Sequence, residues 1–254
     1  MRILITNDDG VYSPGIAALA HVASRFGETR IVAPDVEMSS ASSSISASRP
    51  LTYKRTRLPF EVPGVEAYRV NGTPGDCVGV GTCVWKNVDL VLSGINLGTN
   101  LGNAIWHSGT LAGAKQAALL GLRGIAFSAP ATDTEEPNFE TLKISVAAVL
   151  EMLLPLTELR LVNVNLPASA PRGIVWTRQS VRQYDGKVVP GRDPMGRTHY
   201  WYTVVPIQAT DEGSDRWALE QGYASITPLR VDLTDDAALE HAKERAEPRK
   251  VRLA

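Results

Sequence analysis

The sequence predicts an α/β fold with a doubly wound, mainly parallel sheet, and three observations carry that expectation. Short apolar runs rich in β-branched residues alternate with segments whose apolar residues recur at helical spacing. The runs stop at turn residues, and a strand, helix, strand succession implies right-handed crossovers and parallel pairing. The alternation holds to about residue 170, after which shorter runs suggest antiparallel strands. The whole chain of 254 residues is therefore read as a single domain, with a core of about 1–170 and a C-terminal arm and helix of about 171–254.

Each element has its own signal. Arg2–Thr6 is a buried strand that ends at Asn7-Asp8-Asp9-Gly10. Ser13-Pro14 gives an N-cap and a first-position proline, and Ile16, Leu19, Ala20 and Ala23 continue a helix. Thr29–Ala33 is the next strand. Ala41–Ser48, all small residues, reads as a loop, and Leu51–Arg55 and Ala67–Val70 as strands. Thr73-Pro74 caps a helix towards Trp85 that carries Cys77 and Cys83, both read as core residues. Asp89–Ser93 is a strand leading into a glycine-rich loop, Gly94–Gly102. Leu111–Leu120 forms a small-sided helix opened by Thr110 and stopped by Gly121. Gly124–Ser128 is a strand, Ala131–Glu140 an acidic exposed loop, Phe139–Leu154 a long helix and Leu159–Leu166 the strand that completes the core. Beyond it, Ile174–Arg178, a turn at Tyr184-Asp185-Gly186-Lys187, and Tyr200–Val205 read as antiparallel strands or a hairpin arm. Asp215–Gln221 is a short helix, Tyr223–Thr227 a strand, and Thr234–Glu247 a charged last helix capped by Thr234.

The totals exclude several classes of function. Lys and Arg number 26 against 27 Asp and Glu, a net charge of −1, so no basic stripe suited to a nucleic-acid polymer is expected. The basic stretch Lys54-Arg55-Thr56-Arg57 reads as a solvated strand end. No apolar run approaches a membrane span. Two cysteines six residues apart on one helix face different ways and do not bridge, and four scattered histidines offer no zinc spacing. The chain starts directly with a strand, without a basic segment and apolar core, so a reducing cytoplasm is the expected compartment.

In open parallel sheets ligands bind beyond the carboxyl ends of the strands. Three such ends here carry oxygen-bearing side chains: Asn7-Asp8-Asp9-Gly10; Asp35 to Ser39-Ser40; and Ser93-Gly94-Ile95-Asn96 continuing to His107-Ser108-Gly109-Thr110. Adjacent carboxylates repel unless a positive charge lies between them, and a hard divalent cation such as Mg²⁺ takes oxygen ligands. The pair alone fits an Asp-rich turn equally well; the convergence of three loops favours a metal, with Ser39 and Asn96 completing its shell. Ser108-Gly109-Thr110 opens a helix, whose N–H groups and dipole suit a phosphate, although an ordinary N-cap explains the triplet by itself. No P-loop stretch is present, and Ser108 lacks a nucleophile-elbow setting with a usable base in His107. The glycines of the 94–102 loop match a dinucleotide fingerprint only loosely, and none follows the first strand, which argues against a nicotinamide-dependent oxidoreductase. A non-catalytic nucleotide or metal sensor stays open as the second class.

Together, ILITNDDG (3–10), APD with Ser39, NGTPGDCV (71–78), SGINLGTNLG (93–102) and HSGTLAGA (107–114) resemble the SurE family of survival-protein nucleotidases. The likeness continues through 177–197 and 221–234, nearly the whole chain. The resemblance implies a Rossmann-like core and one divalent cation per subunit, Mg²⁺ or Mn²⁺, held by Asp8, Asp9, Ser39 and Asn96. It implies hydrolysis of nucleoside 5′- and 3′-monophosphates, in some members also of short polyphosphate. Asp8 and Asp9 are the expected catalytic residues, with Asn96, Ser108, Gly109 and Thr110 on the phosphate. It further implies a homodimer or homotetramer built by exchange of C-terminal elements. The chain departs from the family's pattern at Ser40, where glycine is common, and at Asn103, Ala104 and His107, where acids and a tyrosine are common.

Overall fold

The chain folds, in a computed structural model, around one large sheet, and the structure describes residues 1–131, 137–180, 184–206 and 211–245. The strands are β1 (Arg2–Thr6), β2 (Glu28–Pro34), β3 (Tyr53–Thr56), β4 (Glu66–Val70), β5 (Leu90–Leu97), β6 (Arg123–Ala129), β7 (Leu161–Asn165), β8 (Ile174–Trp176), β9 (Tyr184–Arg192), β10 (Thr198–Pro206) and β11 (Ala224–Leu229). The helices are α1 (Pro14–Ala23), α2 (Pro74–Val84), α3 (Gly109–Leu119), α4 (Phe139–Leu153), α5 (Asp215–Glu220) and α6 (Asp236–Arg245), with a 3-10 helix at Gly102–Trp106.

Nine strands form the sheet in the order β3-β4-β2-β1-β5-β6-β7-β11-β8. From β4 to β7 every pairing is parallel; β3 and β11 join antiparallel to β4 and β7. The chain winds outward from β1 towards β4, then returns to place β5 on the other side of β1. That reversal opens a crevice beyond the carboxyl ends of β1 and β5. Helices α1 and α4 pack together, as do α2 and α3. Alternation along β1 divides the core: Ile3 and Ile5 join Ile16, Leu19, Phe127 and Leu150, while Leu4 joins Val32, Val78, Trp85 and Val91.

The expected caps are in place on α1 and α2. Ser13 Oγ accepts from Ile16 N, and Thr73 forms a reciprocal capping box with Asp76. Several boundaries move. The strand expected to stop at Ser93 runs to Leu97 as β5, with a break in register between Ser93 and Asn96. Gly94, at φ +131°, permits this: a Cβ there would strike the Phe127 carbonyl, so the backbone continues past β6 only without a side chain. The opening of α3 falls at Gly109, with Ser108 as its cap. Of the two cysteines, Cys77 is buried but Cys83 is exposed.

The C-terminal third differs most from expectation. Ile174–Trp176 is not part of an arm: it is β8, parallel to β11 in the main sheet. Tyr184–Lys187 is not a turn but the start of β9, which pairs with β10 as a separate two-stranded ribbon. The reversal lies instead at Asp193–Arg197. There Asp193 Oδ1 accepts from Met195 N and Arg197 N, both at 2.9 Å, and Gly196 supplies φ +78°. Long antiparallel pairing overrides the Asp-Gly signal at 185–186. The last helix is capped by Asp235, whose Oδ1 accepts from Ala238 N, while Thr234 turns back to Asp232. Glu247 and residues 132–136 of the acidic stretch lie outside the described residues.

Candidate active site

The crevice at the strand reversal collects the expected residues. Asp8 and Asp9 follow β1 after Asn7. The Asp8 side chain is buried, and its Oδ1 accepts the Thr110 hydroxyl at 2.6 Å. Asp9 Oδ2 lies 3.4 Å from Leu97 N, which puts it beside Asn96 at the end of β5. The Asn96 amide donates Nδ2 to Gly98 O at 2.7 Å, which engages its nitrogen and leaves its oxygen as the atom that could take a ligand. Ser39 sits in an exposed loop, and its hydroxyl donates to Glu37 Oε1 at 2.7 Å. Met38 N donates to Asp8 O at 2.7 Å, which ties that loop to the carboxylate pair.

The N-terminus of α3 closes the site. Ser108 caps it by accepting from Leu111 N at 3.0 Å. Gly109 lies against Asp8, where an added Cβ would stand 2.7 Å from Asp8 Oδ2. Thr110 therefore faces the acid with its hydroxyl already engaged, and its backbone N–H also favours the ionised form of Asp8.

Electrostatics make the pair uncomfortable as it stands. Burial raises the Asp8 carboxyl above its ordinary 3.8, against the lowering effect of the Thr110 hydroxyl. Burial first, then the charge of Asp8, pushes Asp9 up to about 7, and Glu37 adds to both shifts. Among the described residues no cluster of three or more His, Cys, Asp and Glu is assembled. The candidate donors are two carboxylates, a hydroxyl and an amide oxygen, and among the described residues no basic side chain offsets the acids. An oxygen-only set carrying two negative charges fits a hard divalent cation.

Ser40 explains one departure from the family's pattern. Its φ of +60° lies in the left-handed region, so the loop keeps the shape a glycine would give, at a cost of roughly 1–2 kcal/mol. Ser40→Gly is expected to raise stability by about 0.5 kcal/mol once the greater freedom of unfolded glycine is deducted. Thermal melting checks this; a loss of stability would mean that the Ser40 side chain makes a contact of its own.

Reasoning from sequence missed the polar layer behind the site. Asn100 is held by β7: its N–H donates to Asn165 Oδ1 at 2.8 Å, and its carbonyl accepts from Asn163 and Asn165 at 2.7 and 3.0 Å. Its own Nδ2 donates to Ser128 Oγ at 2.7 Å and lies 3.4 Å from Thr110 Oγ1. A signal was present, because asparagines at alternate positions of the apolar run Leu161–Asn165 place amides on one face of a buried strand. Glu37 carried no such signal.

The fold is that of a Rossmann-like α/β protein, with the candidate site in the crevice where its strand order reverses. The family model described as Survival protein SurE matches residues 3–186, and the chain belongs to the SurE family. A relative from Thermus thermophilus named 5'-nucleotidase SurE 1 is 45% identical over 246 residues, covering 94% of this chain and 96% of its own. One from Deinococcus radiodurans, named 5'-nucleotidase SurE, is 39% identical over 92% of this chain and 88% of its own. The crystal structure of the SurE protein from Aquifex aeolicus superposes with a TM-score of 0.82 at 35% identity, covering 96% of this chain and 99% of that one.

Proposed function

We propose that this chain is a divalent-cation-dependent phosphomonoesterase that hydrolyses nucleoside 5′- and 3′-monophosphates, and short polyphosphate as well. The relatives named 5'-nucleotidase support the substrate class. The observation that carries the chemistry is the pair of buried Asp8 and half-buried Asp9, without a basic partner among the described residues, beside a helix N-terminus.

Asp8, Asp9, Ser39 and Asn96 would hold one cation per subunit, Mg²⁺ or Mn²⁺. When bound, it supplies positive charge against the phosphate oxygens in the transition state. Thr110 fixes the Asp8 carboxylate, and Asp9 orients the attacking water. Asn96 and the Ser108–Thr110 turn hold the phosphate in line, with the N-terminal dipole of α3 favouring its charge. Water adds to phosphorus, the ester oxygen leaves, and nucleoside and phosphate result.

Phosphate release from a panel of nucleoside monophosphates, with EDTA and then with Mg²⁺ or Mn²⁺ restored, tests this. Metal-dependent release is expected. Nucleotide binding without release under any metal would reject the reading in favour of a sensor.

The carboxylate pair also sets a pH dependence. Asp9 is protonated more readily folded than unfolded, so its contribution to stability is complete below pH 4 and is lost as pH rises through about 7. In EDTA the melting temperature is expected to fall across that range. A saturating cation should cancel the fall and, at 100 times its Kd, add about 2.7 kcal/mol, or roughly 5–10 °C. A melting temperature indifferent to Mn²⁺ at pH 8 would count against a cation on this pair.

The same proposal covers assembly and location. Val188, Val189, Tyr200 and Trp201 on the ribbon and Val231, Leu233 and Leu239 around α6 are exposed apolar residues. A homodimer or homotetramer that exchanges C-terminal elements would cover them. Among the described residues no helix is long and apolar enough to cross a membrane, and the cytoplasm is the proposed compartment.

A further inference from the structure

The segment from Asn96 to Ser108 joins a proposed cation ligand to the proposed phosphate turn, and the C-terminal third of the chain holds it at Gly102. Gly102 N donates to Asp215 Oδ2 at 2.8 Å, across 113 residues of sequence. Gln179 Nε2 donates to Gly102 O at 3.1 Å, so both backbone groups of this one residue are gripped. Asp215 is fully buried. Its other oxygen, Oδ1, accepts from Ser180 N at 3.0 Å, Ser180 Oγ at 2.7 Å and Arg216 N at 2.8 Å.

Those Oδ1 partners sit where the β9–β10 ribbon leaves and re-enters the body. Arg178 pairs with Ser214 there: Arg178 N donates to Gly213 O at 3.0 Å and Asp215 N to Arg178 O at 2.9 Å. One carboxylate therefore binds the root of the ribbon with one oxygen and the active-site segment with the other. A carboxylate buried this deeply would be costly for the fold without its N–H and O–H donors, and each of them is fixed in place by it. Leu101 beside it is buried, and Asn100 is tied to β7, so Gly102 is the point at which the segment is registered against the C-terminal third.

We propose that Asp215, with Gln179, is a positioning residue for the reaction. It fixes Gly102, and through it the spacing between Asn96 and the Ser108–Thr110 turn, and it makes that spacing depend on how the ribbon is rooted. The inference rests on the reading of Asn96 as a cation ligand.

Asp215→Asn and Gln179→Ala in the full chain test it, below the melting temperature of each. Three quantities are read: kcat and KM for a nucleoside monophosphate, Mn²⁺ affinity without substrate, and amide hydrogen exchange over residues 97–104. Asp215→Asn is expected to lower kcat about 10- to 100-fold with a smaller change in KM, to weaken Mn²⁺ binding about tenfold and to speed exchange at Gly102. Folded Asp215→Asn with wild-type kcat and Mn²⁺ affinity overturns the proposal, since a purely structural carboxylate would lower only the melting temperature. If Asp215→Asn does not fold, Gln179→Ala decides. A loss of about threefold or more in kcat and Mn²⁺ affinity supports the proposal, and wild-type values overturn it. Should the wild-type chain bind Mn²⁺ yet release no phosphate, the functional reading fails separately, and Mn²⁺ affinity alone settles the positioning role.

Discussion

Asp8→Asn is expected to reduce phosphate release by about 10³-fold or more while leaving the protein folded. The charge removed is one of two that would hold the cation, whose transition-state contribution of several kcal/mol corresponds to that factor. The fold survives because an amide oxygen can still accept the Thr110 hydroxyl that now reaches Asp8 Oδ1 at 2.6 Å. In EDTA at pH 8 the variant should melt higher than wild type, since burial raises both carboxyls in the parent and the charge of Asp8 raises Asp9 further. Steady-state kinetics paired with melting curves checks both halves. Retained turnover would reject Asp8 as a ligand, and a lower melting temperature in EDTA would mean that the pair is not strained.

The second large effect is expected from Gly109→Ala. The added Cβ would stand 2.7 Å from both Asp8 Oδ2 and Asp8 Cβ, inside any ordinary contact distance. Asp8 is buried and held by Thr110, so the carboxylate must shift or α3 must back away from β1. Either movement opens the proposed site by several tenths of an ångström, and a fall in kcat/KM of about 10²-fold is expected. Stability is expected to fall as well, by about 1–3 kcal/mol, because the added methyl overpacks the contact between α3 and the Cβ of Asp8. Kinetics and Mn²⁺ affinity of the variant provide the check. Wild-type values for both would show that the position of Asp8 is not constrained by the start of α3.

The parts of this molecule legible in the sequence are those whose cause is local. A strand such as Arg2–Thr6 announces itself by its apolar run, and Ser13 and Thr73 cap their helices through bonds to residues three along. That Asp8, Asp9 and Asn96 gather at one crevice was legible because all three lie at the carboxyl ends of neighbouring parallel strands. What escaped is non-local. Asp215 lies 113 residues from the backbone it holds, and nothing near it in sequence marks it as more than a first-turn acid of a short helix. The Tyr184–Lys187 segment misleads for the converse reason: Asp185-Gly186 is a good turn dipeptide locally, yet nine paired positions with β10 outweigh it. Gly94 shows a middle case, its glycine legible but its purpose, close passage over the Phe127 carbonyl, visible only once β6 lies alongside.

Helix α6 carries a thermodynamic consequence. It has ten residues and none of them is buried. An isolated helix of that length is marginal in water, since nucleation costs more than so few bonds return. In the proposed oligomer its order would draw on the exchanged C-terminal elements, and the reference state for its folding would then include protein concentration. Dilution should lower the far-ultraviolet helical signal before the sheet melts, and the melting temperature should climb with protein concentration. Under that proposal a single stability quoted without a concentration would be an incomplete number.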